Sequence, residues 1–421
     1  MDQSATPSYV RPHLRDSVEL LRDRNFTYLF IAYLVAFFGG SMVPIAMAFG
    51  VLQLTGSTSA TGLVIASQIG GTLAVVLFGG VVADRQSRRR VIVGADLAGA
   101  VGQAAMAAVL ISGRGNVPLL MALMAWNGVA GAFVHPAQVG FVPQVVAPQR
   151  LHAANALLAT ARSAALALGA AAGGVLVALV GSGATIAIDA VGLTIAALLV
   201  SRIRVDTKRP EPTTSLLEDL RGGWSEFASH RWLWVIVLQF SLLVAAQESV
   251  FGLIGPAVAK QSMGGAPDWG FISAAFGAGT LLGGLVILRI DVVRPMLFGT
   301  NCMFVAAVPS LMLAVAPRVW PVAVATFANG VCGQIFGVLW NTTLQRKIPS
   351  TMLSRVSAYD ALGSIGLAPL GIVAAGFLLE SAGATATLLI AAATIVVPTA
   401  LALLEPSVRR LRLDTPSGDA P

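Results

Sequence analysis

The chain has 421 residues, of which 11% are charged and 56% hydrophobic, with 44 glycines besides. Soluble domains carry about 25% charged residues, so a string of soluble domains is excluded. A helix that crosses a bilayer takes about 20 mainly apolar residues, and twelve such helices need roughly 240, which this hydrophobic content supplies. The net charge of +7 therefore matters through its placement rather than its sum.

Residues 1–25 are polar and contain Arg11, Arg15, Arg22 and Arg24. They lack the apolar stretch of a cleaved signal peptide, so the first span acts as the insertion signal. Twelve apolar segments follow, at 26–53, 60–83, 91–112, 117–141, 154–180, 184–202, 232–258, 269–289, 295–316, 319–343, 356–379 and 384–404. With the N-terminus placed inside, the outer loops hold only Arg114, Lys260 and Arg318, and Arg162 alone sits within a span. Every other Lys and Arg falls on the inner side. This asymmetry orients the chain with both termini in the cytoplasm. Cys302 and Cys332 lie in apolar segments and are read as buried and reduced.

The segments divide into a six-helix half at 26–202 and a second at 232–404, with a tail at 405–421. The connection, 203–231, begins with charge and proline. Ser215 and Glu218 then make a capping-box pattern, followed by Leu217, Leu220, Trp224 and Phe227 at helical spacing. This predicts an amphipathic helix on the inner membrane face, which also tethers the halves. Shifted by about 202 positions, Gly174, Gly181 and Thr185 fall on Gly376, Gly383 and Thr387. Shifted by about 204, Gly79, Gly80, Arg85 and Arg90 fall on Gly283, Gly284, Arg289 and Arg294. The halves therefore read as a duplication, a known plan for secondary transporters. The fold class expected is an all-α membrane protein with twelve helices in two pseudo-symmetric halves.

Few side chains carry chemistry. After span 2 runs Gly80-Val-Val-Ala-Asp84-Arg85-Gln-Ser87-Arg88-Arg89-Arg90. A carboxylate among arginines at a helix end can pair with them and with the positive end of a facing helix. Such a cluster can latch one side of the protein; the alternative is that its arginines only fix orientation. Inside the spans, Asp96 lies about 9 Å into span 3. Asp360 stands at the start of span 11, to cap it or to meet the Asp84 cluster. Arg162 is read as holding an anionic substrate or pairing with a buried carboxylate. Asp189 is read as a titrating group or a structural partner. Small residues at Gly169, Gly173, Gly174, Gly277, Gly279, Gly283 and Gly284 allow close helix approach. No Gly-Lys dipeptide is present, so there is no nucleotide-binding P-loop, and no Cys/His cluster has metal spacing. His135, before Pro136, reads as structural.

The stretch from Gly80 resembles the loop 2–3 signature of the major facilitator superfamily, with Gly80, Asp84, Arg85, Arg88 and Arg89 matching and Ser87 in place of a glycine. Pro143 to Leu151, Ala154 to Leu157, Ile348-Pro349, Leu353 to Val356 and Pro369 to Gly371 are similar to the exporter branch that includes macrolide efflux pumps and the enterobactin exporter. The resemblance implies alternating access and efflux of an amphipathic small molecule, drug-like or siderophore-like, driven by protons. It also implies a multi-pass protein of a bacterial cell membrane. In span 5, where drug exporters often carry Gly-Pro, this chain has Gly169-Ala-Ala-Ala-Gly173-Gly174. Many relatives carry an acid in span 1 near the position of Gly40. Here Gly39, Gly40 and Ser41 stand, and a shift of 208 sets Gln247 and Glu248 opposite the glycine pair. Glu248, roughly 24 Å along span 7, is thus a candidate for proton coupling, for substrate contact, or for a wet outer vestibule. The expected partners are a small-molecule substrate, protons and membrane lipids, for a monomer with no cofactor, no metal, no nucleotide and no nucleic acid. The rival readings are an importer of the same fold and a membrane-embedded enzyme such as a lipid or acyl transferase, for which no nucleophile, base or metal cluster stands out.

Overall fold

The structure is a computed structural model and describes residues 19–147, 150–205, 216–290, 292–349 and 352–412, with the side chains of 76–85, 216–220, His135, Val139, His152 and Ser354 left undescribed. Among the described residues ten helices are long and apolar enough to cross a membrane. Two of these are of double length, Ala153–Ser201 and Arg355–Leu404. Each is broken by one glycine in left-handed backbone: Gly181 at φ 84° and Gly383 at φ 80°. Only glycine takes that conformation without strain. Each double helix therefore turns back, which gives twelve legs, numbered here as spans 1–12.

Span 1 is Arg24–Thr55, span 2 Thr58–Arg85, span 3 Arg88–Ser112 and span 4 Val117–Val145. Spans 5 and 6 are the two legs of Leu151–Ser201. Span 7 starts as Arg231–Ser249, passes through a π-turn at Val250–Ile254 and ends as Gly255–Ser262. Span 8 is Ala266–Ile287. Span 9 joins Pro295–Cys302 to Val308–Val315 through a 3₁₀ turn. Span 10 is Val319–Lys347. Span 11 runs from Leu353–Ile365 into Ala368–Leu404, whose second leg is span 12. The near side is where span 1 begins and span 12 ends; the far side is opposite.

The duplicated pattern has a structural meaning. Thr185 donates to the Gly181 carbonyl at 2.9 Å, and Thr387 donates to the Gly383 carbonyl at 2.8 Å. The same threonine thus ties down the same turn in both halves. Close packing repeats as well. A side chain on Gly128 (span 4) would run into the Gln68 carbonyl of span 2, and one on Gly330 (span 10) into the Phe276 carbonyl of span 8. Large apolar side chains remain exposed in mid-span, among them Val101, Leu168 and Val191. This is the surface a lipid phase accepts and water does not.

The connecting helix spans Leu216–Ser229. Ser215 lies outside the described residues, as do the side chains of Leu217, Glu218 and Leu220. Trp224 is exposed while Phe227 is buried, and both rings meet Tyr359 of span 11. The helix is thus docked on the bundle by one face.

The apolar core explains how the halves join. Spans 1–6 carry one cluster near Phe26, Ile92 and Phe141 and another near Met47, Met106 and Ile186. Among the described residues, the core of spans 7–12 takes in Ile45, Phe49, Ala66 and Ala170 from the first half as buried members. All four lie in the far-side part of their spans. Cys302 and Cys332 are free and half-buried rather than buried, and they face each other across spans 9 and 10.

Candidate functional site

Below that far-side junction lies a cavity of about 610 Å³ between the halves. Tyr33 and Phe37 of span 1, Gln138 of span 4 and Arg162 of span 5 form one wall; Phe240, Gln247, Phe276 and Asn329 form part of the other. It extends to Pro143 and Asn155, at the near-side ends of spans 4 and 5. The volume suits a drug-sized molecule, and apolar walls with a few polar groups are the usual lining of such sites.

Two polar features stand out. Gln247 donates to the Asn329 side-chain oxygen at 3.2 Å, a bridge between spans 7 and 10. Arg162 lies with its guanidinium 5.3 Å from the centre of the Phe37 ring. Among the described residues it forms no ion pair with a carboxylate, so of the two expectations for Arg162 the buried pair is not formed. Phe240 stacks on Phe336, and Phe336 on Trp340. Phe240 of the second wall is thus backed by a stack of buried rings that runs toward the near side.

The other candidate residues fall in separate places. Glu248 is exposed. Gly252, one turn further along the same face, lies against Ile65 of span 2, so the carboxylate is on the side of span 7 turned toward the first half. Asp189 and Asp96 are buried within the first half, away from the cavity wall. Asp360 accepts from the Trp340 indole N–H at 2.9 Å and from Ser364 at 3.2 Å. It stands in the interior of Leu353–Ile365 and so does not cap span 11, while the Asp84 side chain that it was expected to meet lies outside the described residues.

Of the loop 2–3 residues, Gly80, Asp84 and Arg85 belong to span 2, but their side chains lie outside the described residues. Arg88 donates to the Gly140 carbonyl of span 4, and Arg89 to the Ile203 carbonyl after span 6 at 2.8 Å. Arg88 and Arg89 thus tie the start of span 3 to the near-side parts of spans 4 and 6. Among the packing glycines, Gly169 meets Phe38 and Ser41, Gly173 meets Met42, Gly174 meets Ala266 and Gly270, and Gly283 meets Val331. Gly284 has nothing closer to a built Cβ than Gln334, at 3.9 Å.

One contact has no counterpart among the motifs. Glu380, in the far-side turn between spans 11 and 12, accepts from Ser57 at 2.8 Å and from the Ser59 backbone N–H at 2.9 Å. The hydroxyls of Ser59 and Thr58 also point at it, at 3.0 and 3.3 Å. These donors sit at the start of span 2, so one carboxylate clamps the two halves together on the far side. They hold it well below the ordinary carboxylate range, at about 2, led by the Ser59 N–H. The signal available in sequence was the run Gly56-Ser57-Thr58-Ser59, a strong helix start whose partner could not be read locally.

The family model described as transmembrane secretion effector matches residues 17–415. The chain belongs to this family of the major facilitator superfamily. It is 28% identical to the multidrug efflux pump Tap of Mycobacterium tuberculosis, over 95% of this chain and 99% of that protein. It is 24% identical to the enterobactin exporter EntS of Escherichia coli, over 82% of this chain and 85% of that one. The nucleoside transporter NupG has the same fold, with a TM-score of 0.71 at 16% identity, covering 90% of this chain and 99% of NupG. Membership of the family makes the chain a multi-pass transporter.

Proposed function

We propose that this protein is a secondary active exporter that moves an amphipathic small molecule out of a bacterial cell in exchange for protons. The observation that carries the reading is the cavity itself. It lies between the halves, is closed by apolar side chains and by Glu380 on the far side, and extends toward the near side. The charge asymmetry of the loops puts the near side in the cytoplasm, with both termini. The state is then the one that loads cargo from inside. The export functions named for Tap and EntS support the direction.

The moving bodies are the halves 26–202 and 232–404, rocking about the central cavity, with the helix Leu216–Ser229 as their tether. A single chain encloses the whole path, so a monomer suffices. Aromatic walls take the apolar part of the cargo. Arg162, held over Phe37, takes an acidic or electron-rich group. Asp84, Arg88 and Arg89 latch the near side in the opposite state, and Glu248 and Asp189 are the acids available for coupling.

The test is flux in proteoliposomes with an imposed pH gradient, read with a panel of fluorescent amphipathic compounds and catecholate chelators. Accumulation that follows the pH gradient and collapses with a protonophore supports the reading. Accumulation that ignores the gradient, or hydrolysis or acyl transfer on any of the compounds, overturns it.

A further inference from the structure

A groove on the outer surface of the second half stands apart from the central cavity. It has a volume of about 360 Å³ and runs between spans 7 and 12. Two side-chain contacts set these spans in antiparallel register. Arg231 pairs with Glu405 at 3.0 Å at the near-side end, and Gln239 donates to Thr399 at 2.9 Å further in. Ala402, between those two contacts, is buried and too small to fill the space. Leu238 and Leu401 line the groove and are exposed, as is Trp234. From Trp234 to Leu242 the groove follows span 7 for about 12 Å, against about 15 Å for the hydrocarbon of one bilayer leaflet. An indole one turn inside a span end marks the membrane–water boundary. The groove therefore starts at that boundary and runs into the hydrocarbon.

The mouth of the groove is cationic. Past Glu405 the chain makes one helical turn, Pro406–Arg409. Val408 is buried and Leu411 packs on the same core, which leaves Arg409, Arg410 and Arg412 exposed. Among the described residues none of these three pairs with a carboxylate. Arg231 gives one nitrogen to Glu405, and its side chain is otherwise 68% exposed. A guanidinium has five N–H donors, so most of its donors stay available. Glu405, the acid at the mouth, is already committed. One of its oxygens meets Arg231, and the other accepts from the Ser407 backbone N–H and hydroxyl. A phosphate finds donors there, whereas a headgroup ammonium finds no free acceptor on Glu405.

We propose that this groove binds one anionic phospholipid, with its phosphate held by Arg231, Arg409 and Arg410 and one acyl chain laid along Leu238 and Leu401. Charge selects the headgroup, because basic side chains beside a bilayer attract anionic lipids. The groove selects a lipid over a free anion, because its apolar length has no use for a soluble phosphate. The site opens directly after the connecting helix Leu216–Ser229, where span 7 begins at Arg231. The bound lipid thus wedges span 7 against span 12 at the point where the tether enters the second half. This holds whatever the cargo and whatever drives it.

Native mass spectrometry of the full-length protein in detergent tests the site. The protein is titrated with phosphatidylglycerol, phosphatidylethanolamine and phosphatidylcholine of identical acyl chains. The expected result is one phosphatidylglycerol retained about fivefold or more tightly than either of the others. One basic residue at the membrane surface is worth about fivefold for an anionic lipid. Arg409→Gln combined with Arg410→Gln should therefore weaken phosphatidylglycerol by about tenfold or more and leave phosphatidylcholine unchanged. Leu238→Trp alters an exposed position and keeps every charge; by filling the groove it should remove most of the preference. Arg318→Gln, on the far side, should change nothing. Equal retention of the three lipids, a preference that survives Leu238→Trp, or one that Arg318→Gln lowers as much as the double variant overturns the proposal. A rise in thermal midpoint with soluble glycerol phosphate as large as that with phosphatidylglycerol overturns it too, in favour of a free-anion site.

Discussion

The carboxylate of Glu380 sits on the first turn of span 2, 2.9 Å from the Ser59 backbone nitrogen and 2.8 Å from the Ser57 hydroxyl. The side chain comes from the second half and the donors from the first. When the halves separate on the far side, this carboxylate must exchange four donors for water. Its acidity in the closed state, about 2, then returns toward its ordinary 4.5. A group whose pKa is depressed in one state stabilises that state fully above its ordinary value and loses the contribution as pH falls toward the depressed one. Far-side closure should therefore be constant through neutral pH and weaken only in strong acid. Spin-label distances between Asn116 and Arg318, which begin spans 4 and 10 on the far side, measure it. Glu380→Gln should lengthen the mean distance at neutral pH and remove the acid dependence. Because Glu380 is exposed, the shift in population should be modest.

Neighbouring glycines make a second test. Gly283 faces the Val331 backbone of span 10, whereas Gly284 has only the Gln334 side chain in reach, at 3.9 Å. A methyl group forced into a packed helix contact costs about 1–3 kcal/mol. Gly283→Ala should lower the thermal midpoint of the detergent-solubilised protein, and Gly284→Ala should leave it unchanged or raise it slightly. Equal shifts for both would show that this contact is looser than described.

What could be read from sequence follows from the range of the interaction behind each feature. Span positions, the repeat and the turns at Gly181 and Gly383 depend on local composition, so the alignment of Thr185 with Thr387 already held the two capping hydrogen bonds. Features set by helix rotation were not legible. The glycine pair at 39–40 looked like a lost acid whose substitute lay at Glu248, yet the carboxylate that meets Gly39 comes from Asp189, 150 residues along the chain. Glu380 appeared as one more loop acid, because its donors belong to the other half.

Glu248 gives a further expectation. Its carboxylate is exposed on the face of span 7 that looks toward span 2, and an acid at that depth is costly unless water or cargo reaches it. Glu248→Gln should reduce pH-gradient-driven flux severalfold and leave cargo exchange at equal pH intact. An unchanged dependence on the gradient would remove Glu248 from the coupling pathway.

Arg162 decides which cargo the cavity prefers. Its guanidinium lies over the Phe37 ring at 5.3 Å, beside a cavity lined by aromatic rings, aliphatic side chains and side-chain amides. The flat cation is already desolvated on one face, so an acidic or electron-rich aromatic ligand can take the other without ordering the side chain anew. Such contacts contribute about 1–2 kcal/mol, or about tenfold in affinity. Arg162→Ala should thus weaken acidic amphipaths about tenfold by tryptophan-quenching titration, while a neutral compound of the same size changes little. Arg162→Lys keeps the charge and loses the plane, so it should recover part of the affinity for simple acids and less for aromatic ones. If all three ligand classes respond alike to both substitutions, Arg162 shapes the cavity rather than reading the cargo.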